Sequence, residues 1–330
     1  MKTFSAYLIG LILAVFLSPF SGCGAKPARQ SQPGAGPAPD RAARVAQQAH
    51  IEEVKGLTPP DAIDLIKAYG SRNTGSPGWR RVLLELLDDG EVTRALTVVN
   101  LWKQVGKDFR TLFVLEQPQG LSGTDYLLIE NPDISDTTDM KVHLFLPAGQ
   151  RPVLEIKPSN FNEGLLGSDF TYSDLRMRLP DRGFRYRVAG LSSLLDEPVW
   201  VVEAEPASQA ARQTYPWALA RFFLARNLDL LLGADYYSDP NGKTCVKQVR
   251  VESYEEVDGV RIQTRMVMFA SQSRCSVLTL KDVRFKERRL HSSLFSAAEL
   301  PKLSEKVRQG WSPESLDHTS LDDYAMSSNL

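Results

Sequence analysis

The sequence predicts a mainly β protein in which antiparallel strands form an unclosed half-barrel with an α-helical lid on its concave side. Three observations predict this: period-two alternation recurs between residues 79 and 286, two Asx-Gly turns join neighbouring segments, and one amphipathic helix precedes them. We count about ten or eleven strands, and a single antiparallel sheet of that size must curl, split or close. The one helix is then available to cover the curled face.

The helix is predicted over residues 57–72, "LTPPDAIDLIKAYGSR". Thr58 can cap it, and a proline suits its first turn. Four apolar residues fall on one side at helical spacing: Ala62, Leu65, Ile66 and Tyr69. The stretch "NTGSPG" then ends the helix, so residues from 79 onward are free to form strands.

Strands are clearest where apolar and polar residues alternate, a pattern typical of half-buried antiparallel strands. The best examples are residues 109–117, 141–147, 184–190 and 260–269. Asn241-Gly242 and Asp258-Gly259 are strong hairpin turns. Residues 215–237 are dense enough in apolar side chains for a buried helix, but we interpret them as two strands that turn at Arg226-Asn227.

The N-terminus predicts export. Lys2 precedes an apolar run from Phe4 to Leu17, which is shorter than the roughly 20 residues of a membrane-spanning helix. We expect a signal peptide over residues 1–22. The stretch "FSGC" resembles a bacterial lipobox, which implies acylation at Cys23; an uncleaved anchor and cleavage near Ala25 are the alternatives.

Residues 23–56 predict a lipidated flexible stalk, because they are rich in Pro, Ala, Gly and Gln and show no apolar periodicity. By resemblance to lipoprotein sorting signals, Gly24 after the cysteine favours an outer-membrane anchor facing the periplasm. The globular domain is expected over residues 57–301, followed by a polar tail over residues 302–330.

Net charge and cysteine content limit the classes of function and the bonds that this chain is expected to have. The formal net charge of -1 gives no general attraction to nucleic acid. Of the three cysteines, Cys245 and Cys275 remain once Cys23 carries lipid, and an even pair in an oxidising compartment predicts a disulfide. Two unpaired thiols are the alternative.

Residues 143–175, "HLFLPAGQRPVLEIKPSNFNEGLLGSDFTYSDL", resemble the bacterial outer-membrane lipoprotein-sorting protein family, which is similar to the periplasmic lipoprotein carriers LolA and LolB. The tyrosine-rich "ADYYSDPNGK", the "DG" turn and the closing "F--AEL" of the second half also fit. His143 departs from the aromatic residue expected there. The resemblance implies a LolA-like half-barrel whose apolar lining holds the acyl chains of lipids or lipoproteins.

Candidate site residues follow from the alternation and the resemblance together. We expect the acyl cavity to be lined by Phe113, Leu144, Tyr186, Trp200, Ile262, Met266 and Met268. For the two methionines and for Trp200, ordinary core packing is an equal alternative. The rim motif comprises Gly167, Asp169, Phe170 and Tyr172.

The stretch "GSDFTYSDL" is also a candidate for chemistry, but Ser168 and Ser173 have no GxSxG elbow and no obvious base. We therefore interpret it as a fold corner, in which Asp169 and Asp174 bond local backbone amides. The arginines from Arg176 to Arg187 form either a headgroup-binding rim or the solvated face of a strand.

The sequence thus predicts a membrane-tethered lipid-binding protein for lipoprotein sorting or lipid transport, not an enzyme, and it nominates no metal or cofactor. An envelope lipid transporter is a further candidate partner. The alternative is an accessory module of such a transporter whose interior is filled by its own side chains.

Overall fold

The computed structural model describes residues 50–53, 58–131, 140–147, 153–176, 178–179, 182–270 and 273–314. The predicted signal peptide, Cys23 and most of the predicted stalk lie outside these ranges. The described residues form one compact unit, and every element below belongs to it. Within the described ranges, no helix combines the length and the apolar character needed to cross a bilayer.

Thirteen strands form one antiparallel sheet, more than the ten or eleven expected. The strands are β1 Gly78–Asp88, β2 Glu91–Val105, β3 Asp108–Gln117, β4 Asp125–Glu130, β5 Met140–Phe145, β6 Leu154–Ile156, β7 Phe184–Leu194, β8 Glu197–Pro206, β9 Leu219–Ala225, β10 Leu231–Tyr237, β11 Cys245–Val257, β12 Val260–Phe269 and β13 Arg274–Arg284. The helices are α1 Ala62–Gly70, α2 Gln209–Thr214 and α3 Leu300–Arg308. β6 has only three residues, too few for an alternation to be recognised.

The sheet is a meander with one long-range join. Strands follow one another in sequence order except that β1 pairs with β13, so β6 and β7 become the two edges. These edges are neighbours in the sequence, and residues 157–183 link them; we call this segment the connector. The sheet is not closed, which confirms the predicted half-barrel.

The predicted strands and turns agree with the structure at several points. β12 has the bounds expected for it, and residues 215–237 form β9 and β10 rather than a helix. Asp258 and Gly259 have φ angles of 50° and 74°, the positive values that a tight Asx-Gly hairpin requires.

Helix α1 covers part of the concave face, as predicted, but it is shorter than expected. Its N-cap is Asp61, whose carboxylate accepts a hydrogen bond from the Ile63 amide at 2.9 Å. Thr58 as the cap is therefore wrong, because both prolines precede the first helical residue. Ala62 and Ile66 are buried beneath the helix.

Helix α3 covers the opposite, convex face. Leu300, Leu303 and Val307 are buried with residues of β1 to β4 such as Trp79. The boundary expected between residues 301 and 302 falls inside this helix. The stretch "LPKLSEKVR" has apolar residues at i, i+3 and i+7, which was the available signal.

The predicted disulfide is wrong: Cys245 and Cys275 are both free. Cys245 begins β11 and Cys275 lies in β13, and β12 separates these strands. Two strand spacings place the backbones about 9–10 Å apart, beyond the roughly 7 Å that a disulfide can bridge. Burial raises the pKa of both thiols.

Two buried acidic side chains of the sheet, Asp235 and Asp125, differ in whether a partner compensates their charge. Asp235 and Arg250 form an ion pair 2.5 Å long with both side chains nearly inaccessible. Asp125 lies in β4 beside Leu127, on the face that α3 covers, and its carboxyl oxygens have no hydrogen-bond partner among the described residues. Burial alone raises the pKa of Asp125 well above its usual value.

We expect Asp125→Asn to change the pH dependence of stability. The unfolded carboxyl loses its proton near pH 3.8, whereas the folded one keeps it to a higher pH, so the folded state holds the extra proton. Wild-type stability therefore falls relative to the variant by about 1.4 kcal/mol per pH unit between pH 4 and the folded pKa. Urea unfolding at pH 4, 5.5 and 7 measures this.

Asp235→Asn is the matched control. It leaves the Arg250 charge buried without its partner, so it should lose about 3–5 kcal/mol at pH 7. A difference between wild type and Asp125→Asn that stays constant from pH 4 to 7 would show that Asp125 is ionised in the folded state.

Candidate functional site

The concave face is defined by cross-strand register, since directly paired residues project to the same side of a sheet. Phe113 pairs with Tyr126, which pairs with Leu144. On the other half, Phe222 pairs with both Val202 and Ala234. These apolar sets lie on the same side as α1, and they make a continuous apolar surface across the sheet.

Six of the seven residues expected to line an acyl cavity pack on this face, but in different parts of it. Phe113, Leu144 and Met268 are buried in the central cluster. Trp200 and Tyr186 pack near α1. Ile262 packs at the end of the face where β12 begins. Met266 pairs across the strands with Val251 and Leu278, but it packs against the separate cluster that contains Val199, Val201 and Phe223.

Much of the described concave face is already covered. Helix α1 packs against β8 to β10, and the connector crosses the central strands. The connector contributes four buried side chains to the core: Phe161, Leu165, Phe170 and Tyr172. An acyl chain that entered this part of the face would have to displace either α1 or the connector.

The rim motif holds the connector in place. Gly167 has a φ of 81°, a backbone conformation that glycine adopts without strain. Asp169 bonds Ser276 of β13 reciprocally: the Ser276 hydroxyl donates to Oδ2 at 2.8 Å and accepts from the Asp169 amide at 2.9 Å. The expectation that Asp169 bonds a local amide is therefore wrong.

Asp174 closes the next turn of the connector. Its Oδ2 accepts from the Thr171 amide and from the Thr171 hydroxyl, each at 2.7 Å, as a reciprocal cap. Lys247 of β11 forms an ion pair with the same carboxylate. The two aspartates of "GSDFTYSDL" thus fix the connector to β13 and β11.

Neither serine of this stretch is placed for nucleophilic catalysis. Ser168 is buried and its hydroxyl donates to the Leu165 carbonyl at 2.7 Å. Ser173 donates to the Phe161 carbonyl at 3.3 Å. Both hydroxyls already donate to backbone carbonyls. The stretch therefore serves as a structural turn of the connector rather than as a catalytic site.

Buried tyrosines lie where the connector meets the sheet. The rings of Tyr126 and Tyr172 have centroids 5.8 Å apart. Burial raises the pKa of Tyr172 to about 12 and that of Tyr126 well above its usual value. Both phenols are therefore neutral at physiological pH, which suits an apolar environment.

A small pocket opens at the end of the concave face where β1 and β12 begin and α1 has just ended. Its volume is about 40 Å³, and its lining includes Arg72, Thr74, Arg80, Trp102, Arg261 and Ile262. We call it the basic pocket. Of the expected lining residues, only Ile262 is found here.

The sequence reasoning missed Arg80, although a signal existed. In "RVLLELL" the side chains of Val82 and Leu84 project into the core, and period-two alternation places Arg80 on the same side. An arginine on the buried side of a strand needs a partner, and that was the available clue. The sequence pointed instead to the later run of arginines.

Two of those later arginines, Arg185 and Arg187, belong to a solvated strand face. Arg185 and Arg187 pair with Glu205 and Glu203 of the adjacent strand β8, and both arginines are mostly exposed. Among the described residues, no group of histidine, cysteine and carboxylate side chains is arranged to hold a metal ion.

A family model described as an uncharacterized protein matches residues 107–302, which is more than half of the chain. No curated protein matches the sequence.

Several solved structures share the fold. A DUF1329 family protein from Desulfovibrio piger is 21% identical with a TM-score of 0.63, and the match covers 72% of this chain and 97% of that one. A putative outer membrane lipoprotein-sorting protein domain from Vibrio parahaemolyticus is 19% identical with a TM-score of 0.62, covering 73% and 98%. A LolA superfamily protein from Nitrosomonas europaea is 15% identical with a TM-score of 0.53, covering 72% and 98%.

We expect Ser276→Ala to destabilise the protein by about 1–3 kcal/mol. It leaves the Asp169 carboxylate and amide without their reciprocal partner at a site where Ser276 is fully buried. Urea denaturation measures the loss, and hydrogen exchange should locate it in the connector.

Ser253→Ala is the matched control, because its hydroxyl bonds Thr264 at an exposed position of the same sheet. Its effect should stay within about 0.5 kcal/mol. Equal losses in the two variants would mean that Asp169 does not fix the connector.

Proposed function

The chain belongs to the family of uncharacterized proteins whose model matches residues 107–302, and it has the fold of LolA superfamily structures; from this premise we propose that it binds the acyl chains of lipids or lipoproteins on its concave face. The observation that carries the proposal is the continuous apolar surface across that face, which α1 and the connector cover. We propose a binding protein rather than an enzyme.

The energetics allow an acyl chain to compete with α1. Ile66 contributes about 1.5–3 kcal/mol by its burial, and Ala62 less. The partly buried side chains of Ile63, Leu65 and Tyr69 add to this. A ten-carbon acyl chain moved out of water contributes about 8 kcal/mol, a comparable or larger amount, so exchange between helix and ligand is feasible.

The proposed location is the cell envelope. We propose that a signal peptide over residues 1–22 exports the chain and that lipid on Cys23 tethers it to the outer membrane, facing the periplasm. A tethered protein cannot cross the periplasm freely. We therefore place it as an acceptor or local distributor of acyl chains, with an envelope lipid transporter as a candidate partner.

A second candidate function depends on whether α1 and the connector cover the concave face permanently. If α1 and the connector never leave the sheet, the concave face is a core and the chain serves as an accessory module of an envelope transporter. The described large apolar side chains that are exposed, Val92, Leu195 and Val246, lie on different strands or turns rather than in one patch. They offer little support for docking through the outside of the sheet.

We expect Ile66→Ala to raise the affinity for a fluorescent fatty acid while lowering the free energy of unfolding. Truncating a buried isoleucine costs about 2 kcal/mol or more, so the form with α1 displaced becomes more populated. If ligand and helix compete, the apparent Kd falls by up to about 30-fold. Fluorescence titration of delipidated protein measures it.

Leu303→Ala is the control, because it truncates an equally buried side chain beneath α3 on the convex face. It should lower stability without changing the Kd. Saturable binding that is absent from wild type and from both variants would remove the acyl-chain proposal and leave the accessory module.

A further inference from the structure

The basic pocket holds a cation that the described protein does not neutralise. Arg80 donates from Nε to Asn100 Oδ1 at 2.9 Å, and its guanidinium carbon lies 5.9 Å from the centre of the Trp102 ring. Neither partner carries a negative charge. Among the described residues, no carboxylate contacts this guanidinium.

Two other arginines of the sheet, unlike Arg80, have carboxylate partners. Arg81, the next residue along β1, binds both oxygens of Glu116 at 2.8 and 3.1 Å and also reaches Glu314. Arg250 pairs with Asp235. A buried guanidinium is normally matched in this way, because an uncompensated buried charge costs several kcal/mol.

Arg80 is half-buried, and it lines the basic pocket. Burial, and then the positive charge of Arg72, lower the pKa of Arg80 to about 10. It is therefore still charged at neutral pH. A charged guanidinium without a carboxylate partner in a partly buried pocket favours the binding of an anion.

The remaining wall of the pocket fits a small anion. Arg261 lines the rim and is paired with Glu256 at 3.2 Å on the solvent side. No aspartate or glutamate is among the described residues that line the pocket. Its volume of about 40 Å³ corresponds to roughly three water positions, the space that one phosphate or carboxylate group needs.

We propose that the basic pocket binds one anionic group, a phosphate or a carboxylate, with the Arg80 guanidinium as its main hydrogen-bond donor. The planar fork of an arginine matches two oxygens of such a group. The proposal goes beyond acyl-chain binding, because free inorganic phosphate satisfies the same side chain. A lipid headgroup is the other source of this chemistry, and the apolar Trp102 and Ile262 beside it would accept the adjoining chain.

Calorimetric titration with inorganic phosphate, in chloride buffer of matched ionic strength, tests the site. We expect saturable binding by wild type and an affinity at least about tenfold lower in Arg80→Met, the loss expected for a charged hydrogen-bonded pair. Arg185→Met removes an exposed arginine paired with Glu205 elsewhere on the sheet and should match wild type. No binding by wild type, or equal binding by Arg80→Met, overturns the proposal.

A second variant keeps the test valid if Arg80→Met does not fold. Asn100→Asp places a carboxylate at the atom that already accepts from Arg80 at 2.9 Å. It should weaken phosphate binding at least about tenfold, since the protein then supplies its own anion. Undiminished phosphate binding by folded Asn100→Asp would place the anion away from Arg80.

Decyl phosphate and decanol, used below their aggregation limits, separate the two sources. A headgroup site predicts that decyl phosphate binds more tightly than inorganic phosphate and that Arg80→Met weakens it, with decanol unaffected. A site for free anions predicts similar affinities for the two phosphates. Decanol binding that persists in Arg80→Met would leave acyl-chain binding intact even if the anion proposal failed.

Discussion

The pairing of β1 with β13 is the constraint on which the rest of the architecture depends. It joins the first and last strands in the middle of the sheet, so the two edges become β6 and β7, which follow one another in the sequence. The connector must then span from one edge to the other. A sheet of thirteen strands cannot stay flat, and the curvature gives the connector and α1 a concave apolar face to cover.

The structure treats its buried charges in three ways, and the differences indicate function. Asp235 and Arg250 neutralise each other. Asp125 has no hydrogen-bond partner among the described residues, and a carboxyl can lower the cost of burial by keeping its proton. Arg80 cannot lower the cost of burial by losing its proton, because even its lowered pKa leaves it charged at neutral pH. Among the described residues, Arg80 has no carboxylate partner, and this is the observation on which the proposed anion site rests.

The sequence predicted local features better than long-range ones. Alternation located β5, β7 and β12, because the more buried side chains of these strands recur at every second residue. It also located β3, although α3 and the concave core together bury both faces of that strand. Tertiary pairing is not encoded locally, so the β1–β13 join and the distance between Cys245 and Cys275 could not be derived. Helix α3 was missed because its polar side chains outnumber its apolar ones, although the apolar ones share a stripe.

For the candidate site, too, the sequence predicts local features but not the packing of distant segments. Six of the seven expected lining residues pack on the concave face, yet alternation says nothing about which of them other elements cover. Whether such a face is a cavity or a core depends on the strength of the covering relative to the ligand. The connector has four buried anchors and is fixed by two aspartates, whereas α1 is nine residues long with two buried side chains. The basic pocket lies where α1 ends, so an amphiphile held there by its anionic group has its chain beside the weaker of the two covers. Binding at Arg80 and displacement of α1 would then be coupled steps, because the first raises the local concentration of the chain for the second.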